Sequence, residues 1–510
     1  MRGAGPRRGV PRRGGVRRGL LRLPRGRGLL RARAARGLPR PLRARRAGAP
    51  PGAAGQDADA RAALLPAAEQ APVPAQAPAP GAPPAGVGAP GIDARAAHGA
   101  PVDRGAPRPR RRRAAHAARR RPRRLPRADR GVALRPVLYV IDNLEFGGGE
   151  RGVLQLVRGL AGAGGRVGVA AHPGGVFERE VRAVGAAFLP LDLRRAHGLG
   201  AVPRLRGLVR AGGWALVHSQ GARADVVTRL ALAGLRGVRH VCTVQMPVEG
   251  FDVGRLRRAL YLALDRWSAR RVDRFLVVSE ALRRLLVEAR GIAPDRVRLV
   301  YNGVELDAPP PAAAGRALRA ALGLAAEAPV VGAVGRLVWQ KGFEDLIAAL
   351  PAVARAVPGV RLLLVGDGPR RAALAAAAAA GGVADRVVLA GFRADVPAVL
   401  AAVDVLAVPS RREGFPMITL EAMAAGTPVV ATAIDGLLEQ IEPERSGLLV
   451  PPGAPAALAE ALVRVLADRD LRARLAAEGR RRVAARFDVR ATLAATWAVY
   501  RELLGEAGPA

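Results

Sequence analysis

Two cations in the C-terminal half of the chain have the types and spacing of an anion-binding site. Arg336 and Lys341 lie in "GRLVWQKGF", between an apolar run that predicts a strand and a pattern that predicts a helix. Cations placed there favour an anion such as phosphate, because the helix dipole and the free amides of the first turn add to their charge. Lys341 is the single lysine among the 82 basic residues. A compact ammonium differs from the planar guanidinium of arginine, so we predict that this position requires lysine; a solvated surface residue is the alternative.

Two glutamates lie further along, in "SRREGFPMITLEAMAAGTPVV", residues 410–430. Pro416 suits the first position of a helix, which predicts Glu413 on the preceding loop and Glu421 inside the helix. The backbone amides near Gly414–Ile418 would then point into a cleft. One carboxylate could contact a sugar near the reacting carbon, and the other could accept hydrogen bonds from two ribose hydroxyls. Two unrelated surface glutamates are the alternative.

The positive charge is concentrated in the N-terminal quarter of the chain. Residues 1–135 contain 33 arginines and six acidic residues, and they carry +27 of the formal net charge of +40. The segment is rich in proline, glycine and alanine and poor in β-branched and aromatic residues. It buries too little apolar surface to offset chain entropy, so we predict that it is disordered. Three interpretations stay open: a polybasic arm for nucleic acid or anionic lipid, a solubilising tail, or a true start codon near residue 132.

Composition excludes several kinds of site. The single cysteine, Cys242, excludes an intramolecular disulfide and a cysteine-based metal cluster, and it is compatible with a reducing cytoplasm. No charge-free apolar run reaches the roughly 18 residues of a membrane-spanning helix. The N-terminus has arginines without the continuous apolar segment of a secretory signal. These features predict a cytoplasmic protein.

From Pro136 onward, short apolar runs alternate with helical patterns, as in "PVLYVID" followed by "GGGE" and "RGVLQLVRGLAGA". Continuous apolar strands between helices indicate a parallel sheet that is covered on both faces. The pattern starts again at Val330, after a Pro/Ala-rich stretch. We therefore predict an α/β protein with two Rossmann-like, doubly wound parallel-sheet domains. Their ligand would bind in the cleft between them, at the carboxyl ends of the strands.

The predicted boundaries divide the chain into five parts. They are a disordered basic segment (1–135), a first Rossmann-like domain (136–305), a linker (306–328), a second Rossmann-like domain (329–490) and a C-terminal helix that crosses back to the first domain (491–510).

In order and spacing, the motifs "GRLVWQKGF", "LLLVGDGP", "VLAGF" and "PSRREGFPMITLEAMAAGTPVVAT" resemble the retaining glycosyltransferases of family 4, which have the GT-B fold. The resemblance runs from about residue 136 to 505, and it implies that the first domain is on the acceptor side and that the second binds the nucleotide sugar. It implies that Arg336 and Lys341 hold the donor diphosphate and that Glu421 binds the ribose. It also implies that Glu413 lies beside the transferred sugar. The backbone against that sugar would be the segment Gly414, Phe415, Pro416 and Met417.

In the first domain, "LEFGGGER" matches the Gly-Gly-x-Glu loop of that family through Gly147, Gly148 and Glu150. Without a side chain, Gly148 would let the backbone approach the pyrophosphate. Two positions depart from the family, where histidines are common: "VHSQG" contains His218 but has Gln220, and "TVQMP" has Gln245. Because glutamine carries no proton at neutral pH, a step that needs a histidine base is in doubt. We predict a functional role for His218, with a hydrogen-bonded histidine at a strand end as the equal alternative.

Together, the candidate site residues and the family resemblance predict an enzyme that transfers a sugar from a nucleotide-diphosphate sugar, with retention, to a glycan, lipid-linked or small-molecule acceptor. The resemblance implies no required cofactor and no metal, and it suggests cell-envelope polysaccharide synthesis. A non-catalytic sugar-nucleotide-binding homologue is one alternative. Nucleic-acid binding through the basic arm is another, and the 3% aromatic content counts against it, since few rings are present to stack on bases.

Residues 253–271 have the pattern of a basic amphipathic helix, which could either pack on the protein or contact a membrane surface. Leu256, Leu260, Leu264 and Trp267 form one stripe among arginines. Such a helix can lie on an anionic membrane. We predict that the stripe packs on its own sheet, and peripheral contact with the inner membrane face is the alternative.

Overall fold

The computed structural model describes residues 135–142, 147–193, 200–246, 263, 265–306 and 310–505. The segment predicted to be disordered, residues 1–135, lies outside these ranges except for Arg135. Its disorder and its nucleic-acid or lipid binding therefore stay predictions. Among the described residues, no helix combines the length and the apolarity needed to cross a bilayer.

The first lobe is built on a parallel sheet of seven short strands with mostly buried residues. The strands are β1 Val137–Ile141, β2 Val167–Ala171, β3 Ala187–Pro190, β4 Leu216–Gln220, β5 Arg239–Val244, β6 Arg274–Val277 and β7 Val297–Leu299. Their order is β3-β2-β1-β4-β5-β6-β7, so the chain starts in the middle and winds outward in both directions. That order places a topological switch point beside β1, where such sheets bind ligands.

Helices cover both faces of this sheet and carry the amphipathic patterns that such cover requires. Those described are Gly148–Gly162, Gly175–Ala183, Ala201–Gly212, Ala222–Ala231 and Glu280–Arg284, the last continued by a π-helical turn, Leu285–Ala289, and followed by a 3₁₀ turn, Pro294–Arg296.

The second lobe repeats the design with six parallel strands. They are β8 Val330–Val334, β9 Arg361–Val365, β10 Val387–Gly391, β11 Val405–Val408, β12 Val429–Thr432 and β13 Leu448–Val450. The order is β10-β9-β8-β11-β12-β13, again with the first strand of the lobe near the middle. The predicted pair of doubly wound parallel-sheet domains is thus confirmed.

The helices of the second lobe alternate with its strands. They are Phe343–Ala356, Arg371–Ala380, Val396–Ala402, Met417–Ala425, Leu437–Gln440, Pro455–Ala467 and Arg469–Arg486, with 3₁₀ turns at Trp339–Lys341 and Ala384–Arg386.

The predicted linker, residues 306–328, is partly helical. A helix occupies Ala312–Ala321 and packs on the second lobe, where Leu318 joins an apolar cluster with Leu363 and Val399. The proline-rich composition suggested a spacer, but a run of alanines with one leucine forms a helix once a neighbouring surface buries its apolar side.

The last helix, Val489–Leu504, packs against the first lobe although it follows the second in sequence. Val499 and Tyr500 belong to the apolar cluster of β1 and of the helix Gly148–Gly162. The hydroxyl groups of Tyr139 and Tyr500 lie 2.8 Å apart and are buried. The second lobe is therefore tied to the first by a returning helix as well as by the chain between β7 and β8.

A shared apolar cluster lies below the cleft and joins the lobes. It combines Val277 and Leu282 from the first lobe with Phe415 and Ile418 from the second. The rings of Tyr301, Phe415 and Phe487 pack together, with centroids 5.2 to 5.6 Å apart. The segment that contains Phe415 is thus fixed by packing.

The predicted amphipathic helix lies partly outside the described residues, which include only 263 and 265–271 of it. Trp267 is 53% exposed, so the prediction that this stripe residue packs on the sheet is wrong. The guanidinium of Arg271 lies 4.4 Å from the centroid of its ring, a cation–π contact that leaves about half of the side chain exposed.

Candidate active site

Loops that follow the carboxyl ends of the strands in both lobes line one cleft of about 880 Å³. The first lobe contributes Gly147–Gly149 and Arg151, and the second contributes Arg336, Lys341 and Glu413. The volume is typical of cavities that enclose a ligand of nucleotide size. Residues predicted from two distant stretches of sequence are thus brought together.

Lys341 is positioned by a tight turn. It ends the 3₁₀ turn Trp339–Lys341, and Gly342 follows with a left-handed φ of 62°. A Cβ at Gly342 would lie 2.0 Å from the carbonyl oxygen of Pro409, so only glycine permits this close approach. Arg336 is exposed on the preceding loop and lines the same cleft.

Glu413 is buried, and it is paired with the lysine. The Lys341 Nζ atom lies 2.5 Å from Glu413 Oε1, and the glutamate side chain is 5% exposed. The Ser410 hydroxyl donates to the same oxygen at 2.8 Å. The pairing fixes both charged groups at the cleft wall.

The two loops that contain this pair are bonded to each other. The Arg411 amide donates to the Gln340 carbonyl at 2.7 Å. The Arg411 guanidinium makes two hydrogen bonds, of 3.0 and 2.7 Å, to the Asp345 carboxylate at the start of the next helix. A two-point arginine–carboxylate contact fixes orientation as well as distance, so the lysine turn and the glutamate loop form one rigid unit.

The segment after Glu413 touches the first lobe through its backbone. A Cβ at Gly414 would lie 1.6 Å from the Gln245 carbonyl oxygen. The helix Met417–Ala425 then begins directly after Pro416, so its first amides are near the cleft. Gly148 approaches the same helix, since its Cβ would lie 3.4 Å from Met417 Cγ. The predicted glycine loop and the predicted helix start therefore face each other.

Glu421 lies one turn inside that helix and is held by the first lobe. Arg151 Nη1 is 3.1 Å from Glu421 Oε1. Burial raises the pKa of the Glu421 carboxyl, and the positive charge of Arg151 partly opposes that increase.

A chain of neutral amides crosses the floor of the cleft. The Gln220 Nε2 group donates to the Gly149 carbonyl at 3.0 Å, and Gln245 Nε2 lies 3.3 Å from Gln220 Oε1. Asn302 Nδ2 donates to Gln245 Oε1 at 2.9 Å and to the Phe415 carbonyl at 3.4 Å. The two glutamines and Asn302 thus connect the glycine loop of the first lobe to the Phe415 segment of the second.

The structure does not bring His218 to the cleft. It lies on the central strand β4, and its buried side chain has Nδ1 2.5 Å from the Tyr500 hydroxyl and Nε2 2.6 Å from the Thr243 hydroxyl. Burial lowers its pKa to about 3. His218 is therefore neutral and structural, as the alternative interpretation of this residue held, and it does not contact the space where a substrate would react.

A second cavity, of about 430 Å³, adjoins the cleft in the first lobe. It begins at Gly149, Gln220 and Gln245, which are close to the main cleft. Its described wall continues through Asp142, whose carboxylate lies 3.1 Å from Arg223 Nε, and through Arg266 and Arg270. The site therefore has two adjoining spaces, of which the larger is lined by Lys341 and Glu413 and the smaller is not.

The sequence analysis missed Arg151, Asn302 and Ser410. Asn302 gave a usable signal, because it is one of two asparagines in a chain whose composition disfavours them, as it disfavours lysine. Arg151 gave none, since arginine is abundant. Among the described residues, no group of three or more His, Cys, Asp or Glu side chains could hold a metal ion.

Comparisons with known proteins agree with this geometry. Residues 146–308 match the family described as Glycosyltransferase Family 4, and residues 328–468 match Glycosyl transferases group 1. A 2-deoxystreptamine glucosyltransferase of Streptomyces kanamyceticus is 34% identical over 306 residues, which cover 57% of this chain and 77% of that protein. The chain belongs to the family 4 glycosyltransferases.

Two further similarities extend the comparison of this glycosyltransferase. A D-inositol 3-phosphate glycosyltransferase of Saccharomonospora viridis is 38% identical over 46% of this chain and 56% of its own length. The fold matches the Anabaena protein HepE, in complex with UDP and glucose, with a TM-score of 0.64 and 24% identity, over 72% of this chain and all of that one. The GT-B fold and the assignment as a transferase enzyme are therefore confirmed.

Proposed function

We propose that this glycosyltransferase takes a sugar from a nucleotide-diphosphate donor and transfers it to an acceptor hydroxyl with retention of the anomeric configuration. The observation that carries the proposal is the Lys341–Glu413 pair, which is rigidly mounted on one wall of the cleft opposite the glycine loop Gly147–Gly149. A cation, a carboxylate and close-approaching backbone are the groups that a charged diphosphate and a sugar require.

Each predicted residue has a role in this scheme. Lys341 and Arg336 neutralise the charge that grows on the diphosphate as it leaves, which is where a preorganised cation gives most acceleration. Glu413 contacts the transferred sugar, and the first amides of the helix Met417–Ala425 lie against the same ring. Glu421 accepts hydrogen bonds from the ribose.

The proton transfer needs no histidine. The bond between the anomeric carbon and the diphosphate oxygen breaks, and the acceptor oxygen bonds to that carbon on the same face. The acceptor proton moves to the departing phosphate oxygen, which has become negative. The neutral amides of Gln220 and Gln245 then position backbone and take no proton, in agreement with the burial of His218 away from the cleft.

The acceptor would bind in the cavity of about 430 Å³ that adjoins the cleft. Its class, whether glycan, lipid-linked or small molecule, stays a prediction, as does a role in the cell envelope. Given the names of the two curated relatives, 2-deoxystreptamine and D-inositol 3-phosphate are the first acceptors to test. A cytoplasmic location with peripheral contact at the inner membrane face is also a prediction; the exposed Trp267 beside Arg271 supports the contact.

The experiment is a thermal-shift screen of the full chain with UDP-, GDP- and ADP-sugars, followed by transfer assays with the stabilising donor. Product analysis by NMR then gives the anomeric configuration. We expect one nucleotide class to raise the melting temperature and the product to have the configuration of the donor. Stabilisation by none of them would contradict the donor assignment, and an inverted product would contradict retention.

A further inference from the structure

The ion pair between Arg151 and Glu421 joins the two walls of the cleft at the carboxylate proposed to bind ribose. Arg151 is the fourth residue of the first-lobe helix Gly148–Gly162, and Glu421 the fifth of the second-lobe helix Met417–Ala425. Arg151 Nη1 lies 3.1 Å from Glu421 Oε1, with 29% and 18% of the two side chains exposed. It is a contact between lobes and not a surface pair within one helix.

Arg151 lines the cleft, whereas Glu421, to which it is paired, does not. The described lining of the cleft includes Arg151 and Ile418, but Glu421 is not part of it. Part of each partner remains unsatisfied: within the described part of the chain, Glu421 Oε2 and Arg151 Nε are buried and have no hydrogen-bond partner. A carboxylate in this position retains capacity to accept hydrogen bonds, and the arginine is the group that a ligand would have to move to reach both oxygens.

We propose that Arg151 and the ribose hydroxyls compete for Glu421, and that the displaced guanidinium then becomes a ligand of the donor diphosphate. This inference rests on the proposed function, since it takes Glu421 as the ribose site. Arg151 already lines the cleft with Gly147–Gly149, Arg336 and Lys341. A modest rotation of its long side chain would therefore aim the planar fork at a phosphate, for which its geometry is well suited.

The exchange has a consequence for recognition. A nucleoside must break the ion pair and offers nothing to the released arginine, so its binding is weakened. A nucleoside diphosphate breaks the same pair and supplies a new anionic partner. Arg151 would thereby favour the intact nucleotide over its unphosphorylated fragment, because it leaves the ribose site and binds the diphosphate directly.

The test compares affinities by isothermal titration calorimetry with the full chain. The probes are the nucleoside diphosphate that stabilises the wild type and its matching nucleoside, for instance UDP and uridine. For Arg151→Gln, which keeps much of the side-chain length, we expect uridine to bind about 3-fold more tightly, the scale of a partly exposed ion pair. UDP should bind roughly 10-fold more weakly, the scale of one lost charged hydrogen bond. Arg158→Gln is the control, because Arg158 lies two turns further along the same helix and pairs with Glu305 at 3.3 Å, away from the cleft.

A second measurement uses the wild type and does not depend on how the variant folds. Added salt weakens an exposed ion pair, so uridine should bind more tightly as sodium chloride rises from low to physiological concentration, while UDP binds more weakly. In Arg151→Gln the affinity for uridine should no longer depend on the salt concentration.

The outcomes separate this inference from the function on which it rests. If the wild type binds none of UDP, GDP and ADP, both fail. If the wild type binds UDP but Arg151→Gln weakens or leaves unchanged the binding of uridine, the competition is wrong and the proposed function stands. Uridine binding to the wild type that does not strengthen with salt would overturn the competition in the same way.

Discussion

Replacing Lys341 with alanine tests the central pair of the site through both stability and activity. The change leaves the Glu413 carboxylate, which is 5% exposed, without its cation at 2.5 Å. Removing one partner of a buried ion pair typically costs about 3–5 kcal/mol, because the remaining charge stays desolvated. Because Lys341 is itself 21% exposed, we expect the free energy of unfolding to fall by the lower value, about 3 kcal/mol.

The double variant makes the reasoning specific. Lys341→Ala/Glu413→Ala removes the stranded carboxylate together with the lysine, so it should unfold at a higher urea concentration than Lys341→Ala alone. We expect a coupling free energy of about 1–3 kcal/mol between the two positions. Arg370→Ala is the matched control, since Arg370 pairs with Glu344 at the surface and should cost under about 1 kcal/mol.

Activity gives the second readout. If Lys341 stabilises the leaving diphosphate, kcat should fall by about 10²–10³, the effect of losing one preorganised donor, and Arg370→Ala should retain wild-type kcat. Transfer would be followed by release of the nucleotide. Lys341→Ala with more than half of the wild-type kcat/KM would refute the phosphate role, and a double variant less stable than either single one would refute the pairing argument.

Three other substitutions test the cleft and its surroundings. Gly414→Ala places a Cβ 1.6 Å from the Gln245 carbonyl, so we expect a loss of about 1–3 kcal/mol in the free energy of unfolding and little transfer activity. In the control Gly152→Ala the new Cβ meets no atom within 4 Å, and this variant should be stabilised by about 0.5–1 kcal/mol. Equal urea midpoints for Gly414→Ala and Gly152→Ala would contradict the close contact between Gly414 and Gln245. Gln245→Glu replaces the amide that donates to Gln220 Oε1 with a carboxylate, which an ordinary pKa of about 4.3 leaves ionised above pH 5. We therefore expect kcat/KM below the wild-type value at every pH from 5 to 9; wild-type kcat/KM in this variant would show that the amide is dispensable. Burial lowers the pKa of His218 to about 3, below its unfolded value, so stability should be lost as pH falls below about 6.5, by roughly 1.4 kcal/mol per pH unit from this group. His218→Gln should reduce that pH dependence of the urea midpoint and leave the pH profile of kcat unchanged; a changed kcat profile would restore His218 to the chemistry.

Much of the fold was readable because it depends on local pattern. Parallel strands buried on both faces must be apolar throughout, so runs such as Val137–Ile141 and Val405–Val408 stand out against the helices between them. The linker was harder. Its proline content favoured an irregular spacer, but the structure contains the helix Ala312–Ala321, which is stabilised by the second-lobe surface on which it packs.

The candidate site was predictable where residue type alone constrains the chemistry. Lys341 was predicted because it is the single lysine in a chain rich in arginine. Glu413 and Glu421 were predicted because the start of a helix lies between them. His218 was misleading, since the sequence shows the imidazole but not its contacts with the Tyr500 and Thr243 hydroxyls. Those partners are far apart in sequence, and only folding brings them together.

The sequence by itself determined two doubly wound sheets and the identity of the charged groups on the second-lobe wall of the cleft, because strand burial and charge type are properties of short segments. The tertiary structure decided which groups touch. It paired Arg151 with Glu421 and linked Gly149 to Phe415 through three amides, contacts between lobes that no local pattern encodes. The physical reason is that ion pairs and hydrogen bonds act over a few ångströms in space, whatever the separation of their residues along the chain.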